Sequence, residues 1–217
     1  MPSAFRVFPG PVSVLGDTWA KMTDTKVNWT GTGRSWGSES QPLEVSDGAH
    51  MGVAKPGIAK TDGVPRAAHE KIASDLAYFL GLPVPPAVLW HRVPCPSGAH
   101  PFCVISATAF IQPLDLGPSM HLIVGPLLDD ARWITSAIAA FDSWIGAQDR
   151  HLGNAIIDAD TSAGLKMAFI DYSYSLSHTW RNHPVPFQFV NNFAASFGGA
   201  LPNIVEEVVD LILGLPQ

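Results

Sequence analysis

Cysteine is almost absent from the 217-residue chain: Cys95 and Cys103 stand alone, too few for a disulfide framework and without a Cys-x-x-C spacing for zinc. Both are expected as free thiols in a reducing compartment. Basic residues are also scarce. Thirteen Lys and Arg face 19 Asp and Glu, a formal net charge of −6, the wrong sign for a chain that holds nucleic acid mainly by neutralising phosphates. No window approaches the ~18 uninterrupted apolar residues of a membrane span. Residues 1–16, with one arginine and three prolines, lack the charged start and apolar run of a secretory signal. A cytoplasmic protein with no nucleic-acid partner is therefore expected, although a protein injected by a dedicated export machine has the same features. The eight histidines form no His-Glu-x-x-His or other tight metal spacing, and no internal repeat is present.

What the chain does have is 47% hydrophobic against 15% charged residues, enough for a sizeable core, and 19 Gly with 19 Pro, which predict many turns. Thr25 to Trp29 reads as a short strand feeding a glycine-bearing loop over Thr30 to Ser40, and Gln41 to Ser46 as the returning strand. After Asp47-Gly48, the run His50 to Lys55 predicts a strand whose last lysine points out of the sheet. Pro65 to Leu80 predicts a helix, with Ile72, Leu76 and Leu80 at four-residue spacing, Ala73, Ala77 and Phe79 beside them, and Gly81 as its stop. Ala87 to Val93 and Phe102 to Ile111 read as strands. Over Leu127 to Ile145 the positions Trp133, Ile134, Ala137, Ile138, Phe141, Trp144 and Ile145 predict a core-facing helix. Two short strands, Ala155 to Asp158 and Leu165 to Ile170, and a helix over Ile204 to Leu213 complete the reading.

The densest polar cluster follows the long helix: Asp149-Arg150-His151-Leu152-Gly153-Asn154, then a hairpin, then Asp171. Phosphoryl transfer needs this set, because a loop carboxylate can orient an attacking hydroxyl and accept its proton while an amide and a second carboxylate give oxygens to Mg²⁺. Asp149 is the candidate proton acceptor, and Asn154 and Asp171 are the candidate metal ligands. Upstream, Lys55 at a strand end and Glu70 in the next helix can form the ion pair that holds a lysine against the α- and β-phosphates of ATP. Two blander readings stand beside these: Lys55 as a solvated strand end, and Glu70 as an exposed charge paired with Arg66 four residues earlier. Gly33 to Gly37 also spells Gly-x-Ser-x-Gly, but a nucleophile elbow needs a helix directly after it, and Ser38 to Pro42 does not supply one.

The segments "VAKPG" at 53–57, "HEKIASDLAYFLGLPVP" at 69–85, "AQDRHLGNAII" at 147–157 and "FIDYSYS" at 169–175 resemble the HipA-like serine/threonine kinases and the phosphatidylinositol 3- and 4-kinases, over roughly residues 50–175. The resemblance implies an α+β, bilobal protein-kinase-like fold: a β-rich N-lobe with one helix over residues 1–111 and a reduced helical C-lobe over 112–217. It implies Asp149, Asn154 and Asp171 as catalytic residues, with Asn154 and Asp171 on the metal, and His151 as a shaper of the loop. ATP and Mg²⁺ are the implied cofactors. Lys55, Glu70, the loop residues Gly31, Gly33, Ser38 and Ser40, and the linker residues Ile111 and Gln112 beside the adenine are the implied nucleotide contacts. HipA-like enzymes can phosphorylate a serine of that loop on themselves. Protein serine or threonine is the first acceptor implied; a lipid or small-molecule hydroxyl is the second, and a nucleotide-binding pseudokinase is the non-enzyme alternative. The chain departs from the family where Asp171 is followed by Tyr172-Ser173 and where "GTGRSWGSES" replaces the ordinary glycine spacing.

Overall fold

A computed structural model describes residues 24, 26–35, 42–56, 65–90, 103–107, 126–151, 154–160, 164–176, 199 and 202–215. Strands β1 (Thr30–Ser35), β2 (Leu43–Ser46) and β3 (Met51–Pro56) precede helix α1 (Arg66–Phe79), which is followed by β4 (Ala87–Trp90) and β5 (Cys103–Ala107). Helix α2 (Pro126–Ile145), the hairpin β6 (Ala155–Asp160) and β7 (Gly164–Phe169), and helix α3 (Pro202–Leu213) follow. The first five strands form one antiparallel sheet in the order β1-β2-β3-β5-β4, and β6 and β7 pair separately. Of the candidate site residues above, Ser38, Ser40, Ile111 and Gln112 lie outside the described set.

The first strand corrects the sequence reading. It begins at Thr30, so Gly31 and Gly33 belong to a strand rather than a loop. Every residue of β1 is exposed, so burial does not hold it. Its antiparallel ladder to β2 holds it, supplemented by hydroxyls: Thr30 Oγ1 donates to the Ser46 carbonyl at 3.2 Å and Thr32 Oγ1 to Glu44 Oε1 at 2.7 Å. The pairing register slips between Gly31 and Ser35, where Gly33 takes a φ of +92°, a left-handed conformation that only glycine adopts without strain.

Helix α1 starts after Pro65 and stops where Gly81 N–H bonds the Tyr78 carbonyl and Leu82 N–H the Ala77 carbonyl, both at 2.9 Å, a Schellman closure. Its buried face is made of small residues, Ala67, Ala73, Ser74 and Ala77, together with Glu70. Ile72 and Phe79, expected in the core, are exposed; the alanines turn inward instead, Ala67 against Ala87 of β4 and Ala73 and Ala77 into the core shared with α2. Helix α2 is enclosed on nearly all sides from Ile134 to Asp142. Thr135 and Ser136 satisfy their buried hydroxyls on the carbonyls of Ala131 and Arg132 in the preceding turn. Trp144 is the exception to the predicted stripe, half open at the helix end with its ring tilted 58° against that of Phe141.

One hydrophobic core joins Ala73, Ala77, Leu80 and Val84 to Ile134, Ile138 and Phe141 of α2, Phe169 of β7, Tyr172, and Ile204 and Val208 of α3. The C-terminal half of α1 is thus packed into the same core that supports the loops after α2 and β7. A backbone bond from Phe169 N–H to the Pro83 carbonyl, 2.9 Å, ties the two regions again.

Candidate active site

Lys55 ends β3 in register with Val104 of β5, and α1 passes behind it. Glu70 sits on the buried face of α1, 2% exposed, so its carboxyl points inward. Asp171 follows β7 directly. The three meet: Lys55 Nζ lies 2.9 Å from Asp171 Oδ1 and 3.9 Å from Glu70 Oε2. Both bland readings fail, since the lysine is largely enclosed and Glu70 pairs toward it rather than with Arg66. Arg66 instead donates to the Ser173 carbonyl and covers the Tyr174 ring.

Charge at this centre is set by competition. Burial acts to lower the Lys55 ammonium, but Glu70, Asp171 and Asp149 together outweigh it and hold its pKa above the ordinary lysine value. Burial raises the Glu70 carboxyl, opposed by Lys55 and by the backbone amides of Tyr172 and Asp171. Glu70 Oε2 is buried without a hydrogen-bond partner. For Asp171, burial pushes upward and is overcome by Lys55, the Ser173 hydroxyl and Arg150, so its pKa falls to about 2. Ser173 Oγ donates to Asp171 Oδ1 at 2.7 Å, the same oxygen that faces Lys55. Asp171 itself has a φ of +65°, which aspartate tolerates better than most residues but which needs its surroundings to maintain it.

The loop carrying Asp149 leaves α2 at Gly146, whose φ of +65° lets Ala147 N–H cap the Asp142 carbonyl at 2.9 Å. Asp149 and His151 point outward, 53% and 59% exposed at their side chains, with His151 Nε2 3.9 Å from Asp149 Oδ1. Between them in sequence, Arg150 turns inward and is buried. Its Nε and Nη2 bond the two carboxyl oxygens of buried Asp142 at 2.6 and 3.1 Å. Its Nη1 bonds the carbonyls of Asn154 and Ile170 at 3.2 and 3.0 Å. The guanidinium also lies 4.8 Å from the Tyr172 ring centroid. Arg150 therefore fastens the Asp149 loop, the Asn154 turn and the approach to Asp171 onto α2.

Asn154 is buried, and its Nδ2 donates to the Asp149 carbonyl. Ile170 N–H bonds the Asn154 carbonyl at 3.0 Å, so Asp171 is held next to Asn154. With its nitrogen spent inside the loop, the Asn154 amide has its oxygen left for a cation. Among the described residues no group of three or more His, Cys, Asp or Glu side chains is arranged to hold a metal.

Of the sequence-assigned residues, the structure brings Lys55, Glu70, Asp171, Asn154 and Asp149 into one neighbourhood, while Gly31 and Gly33 lie on the exposed β1. The reading missed Asp142, Arg150, Arg66 and Ser173. Asp142 had a signal: a carboxylate among Ile138, Phe141 and Ile145 on a core-facing stripe demands a partner.

No protein-family model matches this chain, and no curated protein does. The arrangement of the sheet, α1 and the helices behind it is an α+β protein-kinase-like fold. Among eight solved chains that match it is the crystal structure of a Helicobacter pylori proinflammatory kinase, CtkA, with a TM-score of 0.52 and 16% identity. The match covers 69% of this chain and 59% of CtkA, so the likeness is one of fold and spans little more than half of that protein. No described helix is long and apolar enough to cross a membrane.

Proposed function

We propose that the chain is an ATP- and Mg²⁺-dependent phosphotransferase of the HipA-like branch that moves the γ-phosphate to a hydroxyl, with protein serine or threonine as acceptor. The observation that carries this reading is Lys55 Nζ lying between Asp171 Oδ1 and Glu70 Oε2, because a lysine so held is the phosphate contact that phosphoryl transfer depends on. Lys55 would bind the α- and β-phosphates while Glu70 keeps its chain aimed. Asn154 and Asp171 would hold the ion through oxygen, the donor that Mg²⁺ takes. When bound, the ion neutralises charge that builds on the transferring group. Asp149, open to solvent beside this set, would orient the acceptor hydroxyl and take its proton. The assignments of Gly31, Gly33, Ser38, Ser40, Ile111 and Gln112 to the nucleotide, and of residues 1–111 and 112–217 to two lobes, belong to the same reading.

A protein acceptor is favoured over an anionic lipid headgroup because Arg181 is the only Lys or Arg in the 46 residues after Asp171. A pseudokinase is the second reading, favoured by the engagement of Asp171 Oδ1 by both Lys55 and Ser173. Incubation with Mg²⁺ and radiolabelled ATP, alone and with cell lysate, beside Asp149→Ala separates them. Label on protein that disappears in the variant, with its melting temperature unchanged, supports the kinase. Melting stabilised by ATP without label on any protein supports the pseudokinase or a small-molecule kinase, and the absence of both label and stabilisation refutes nucleotide binding.

A further inference from the structure

We propose that Arg66 is a positioning residue: seated on Tyr174, it fastens the segment 171–176 to α1 and so keeps Asp171 against Lys55. Arg66 opens α1, one turn before Glu70 on the same side of the helix. That spacing predicts an Arg66–Glu70 pair, yet the guanidinium turns to the other element. Its Nη1 donates to the Ser173 carbonyl at 3.3 Å, and its Cζ stands 3.7 Å from the Tyr174 ring centroid. The planar group can stack and donate at once, which a lysine ammonium cannot do in the same way.

The segment it grips is already anchored on its far side. Gln148 N–H bonds the Tyr174 carbonyl at 3.2 Å and Leu176 N–H the Ile145 carbonyl at 2.8 Å, which tie it to the end of α2 and the Asp149 loop. Arg66 adds a tie on the α1 side, beside the Tyr172 and Asp171 amides that meet the Glu70 carboxyl. The consequence is geometric, because Glu70 comes from α1 and Asp171 from the segment, and both face one ammonium. The gap between the two elements therefore decides whether Lys55 is flanked by both carboxylates. Arg66 bonds the backbone of Ser173, the residue whose hydroxyl holds Asp171 Oδ1, so it also supports the left-handed backbone at Asp171.

The structural part of this inference stands without the kinase reading; only its effect on turnover rests on that reading. The test is hydrogen exchange of the amides of residues 171–176 in the nucleotide-free protein, for Arg66→Ala, Arg66→Lys, Tyr174→Leu and Tyr174→Phe. Exchange should rise about tenfold in Arg66→Ala and Tyr174→Leu, rise less in Arg66→Lys, and stay native in Tyr174→Phe, which keeps the ring. If Arg66→Ala does not fold, Arg66→Lys and Tyr174→Leu carry the comparison. Exchange within about twofold of native in both truncations overturns the proposal. Where turnover is measurable, kcat for Arg66→Ala should fall several-fold with KM for ATP within about twofold, the pattern of a displaced metal ligand rather than lost ground-state binding. Loosened exchange in a protein that never transfers phosphate rejects the kinase reading and keeps the clamp; unchanged exchange with normal turnover does the reverse.

Discussion

Replacing Arg150 by Met leaves the Asp142 carboxyl buried with no cation, and the outcome can be worked from the structure. Asp142 is fully buried on α2, and both of its oxygens are bonded by the guanidinium. Breaking such a pair from one side typically costs about 3–5 kcal/mol. The carboxyl escapes part of this by taking up a proton. Starting from the ordinary value of 3.8, neutralisation costs about 1.4 kcal/mol for each of the roughly three pH units up to pH 7, which caps this part of the loss near 4 kcal/mol. The sign follows from linkage: in Arg150→Met the folded state binds a proton that the unfolded chain does not, so the penalty grows as pH rises. It should shrink by up to about 1.4 kcal/mol per unit on going from pH 7 toward 4. Arg150→Met with Asp142→Asn should lose less than the sum of the single changes and should lose the pH dependence. It will not return to native stability, since the carbonyls of Asn154 and Ile170 still lack the Nη1 donor, at about 1 kcal/mol or more between them. Urea denaturation of the four proteins at pH 5, 6 and 7 measures this. A penalty for Arg150→Met that is constant with pH, or additive with Asp142→Asn, refutes the reasoning.

Asp171, depressed to about 2 against an ordinary 3.8, contributes stability that is complete above pH 4 and lost as pH falls through 2. With its side chain 31% exposed and therefore partly screened, the contribution is about 1–2 kcal/mol, and the stability gap between wild type and Asp171→Asn should close over that range in acid titrations followed by circular dichroism. Gly33→Ala should cost about 1–2 kcal/mol because of its φ of +92°, although nothing lies within 4 Å of an added Cβ. Gly31→Ala, with the same open space and no such backbone demand, should stay within about 0.5 kcal/mol; equal losses in thermal melts would sink the contrast.

The order of elements and polar residues along the chain was legible because each step has a local signature. Gly81 and Gly146 end their helices for backbone reasons that operate within five residues, so the loop that carries Asp149 could be located from sequence. The apolar period of α2 was read correctly for the same reason, and its one error, Trp144, lies at the exposed helix end. Helix α1 was read correctly in extent and at Ala73, Ala77 and Leu80, but Ile72 and Phe79 lie outside while Ala67, Glu70 and Ser74 fill the buried face. A period identifies a stripe, and which stripe turns inward depends on what packs against it.

The residue types, their order and the capping of the helices were determined by the sequence itself, through interactions that reach no further than a turn or a strand pair. Only the tertiary structure decided the partners. Glu70 had Arg66 within reach along the helix, yet pairs toward Lys55, while Arg66 crosses 107 positions to Ser173. An exposed i,i+4 pair gains a few tenths of a kcal/mol, whereas burial makes a carboxyl without a nearby cation far more costly. Glu70 on the buried face therefore had to meet the lysine that β3 delivers, and Arg66 was left to hold the segment that brings Asp171 to the same ammonium.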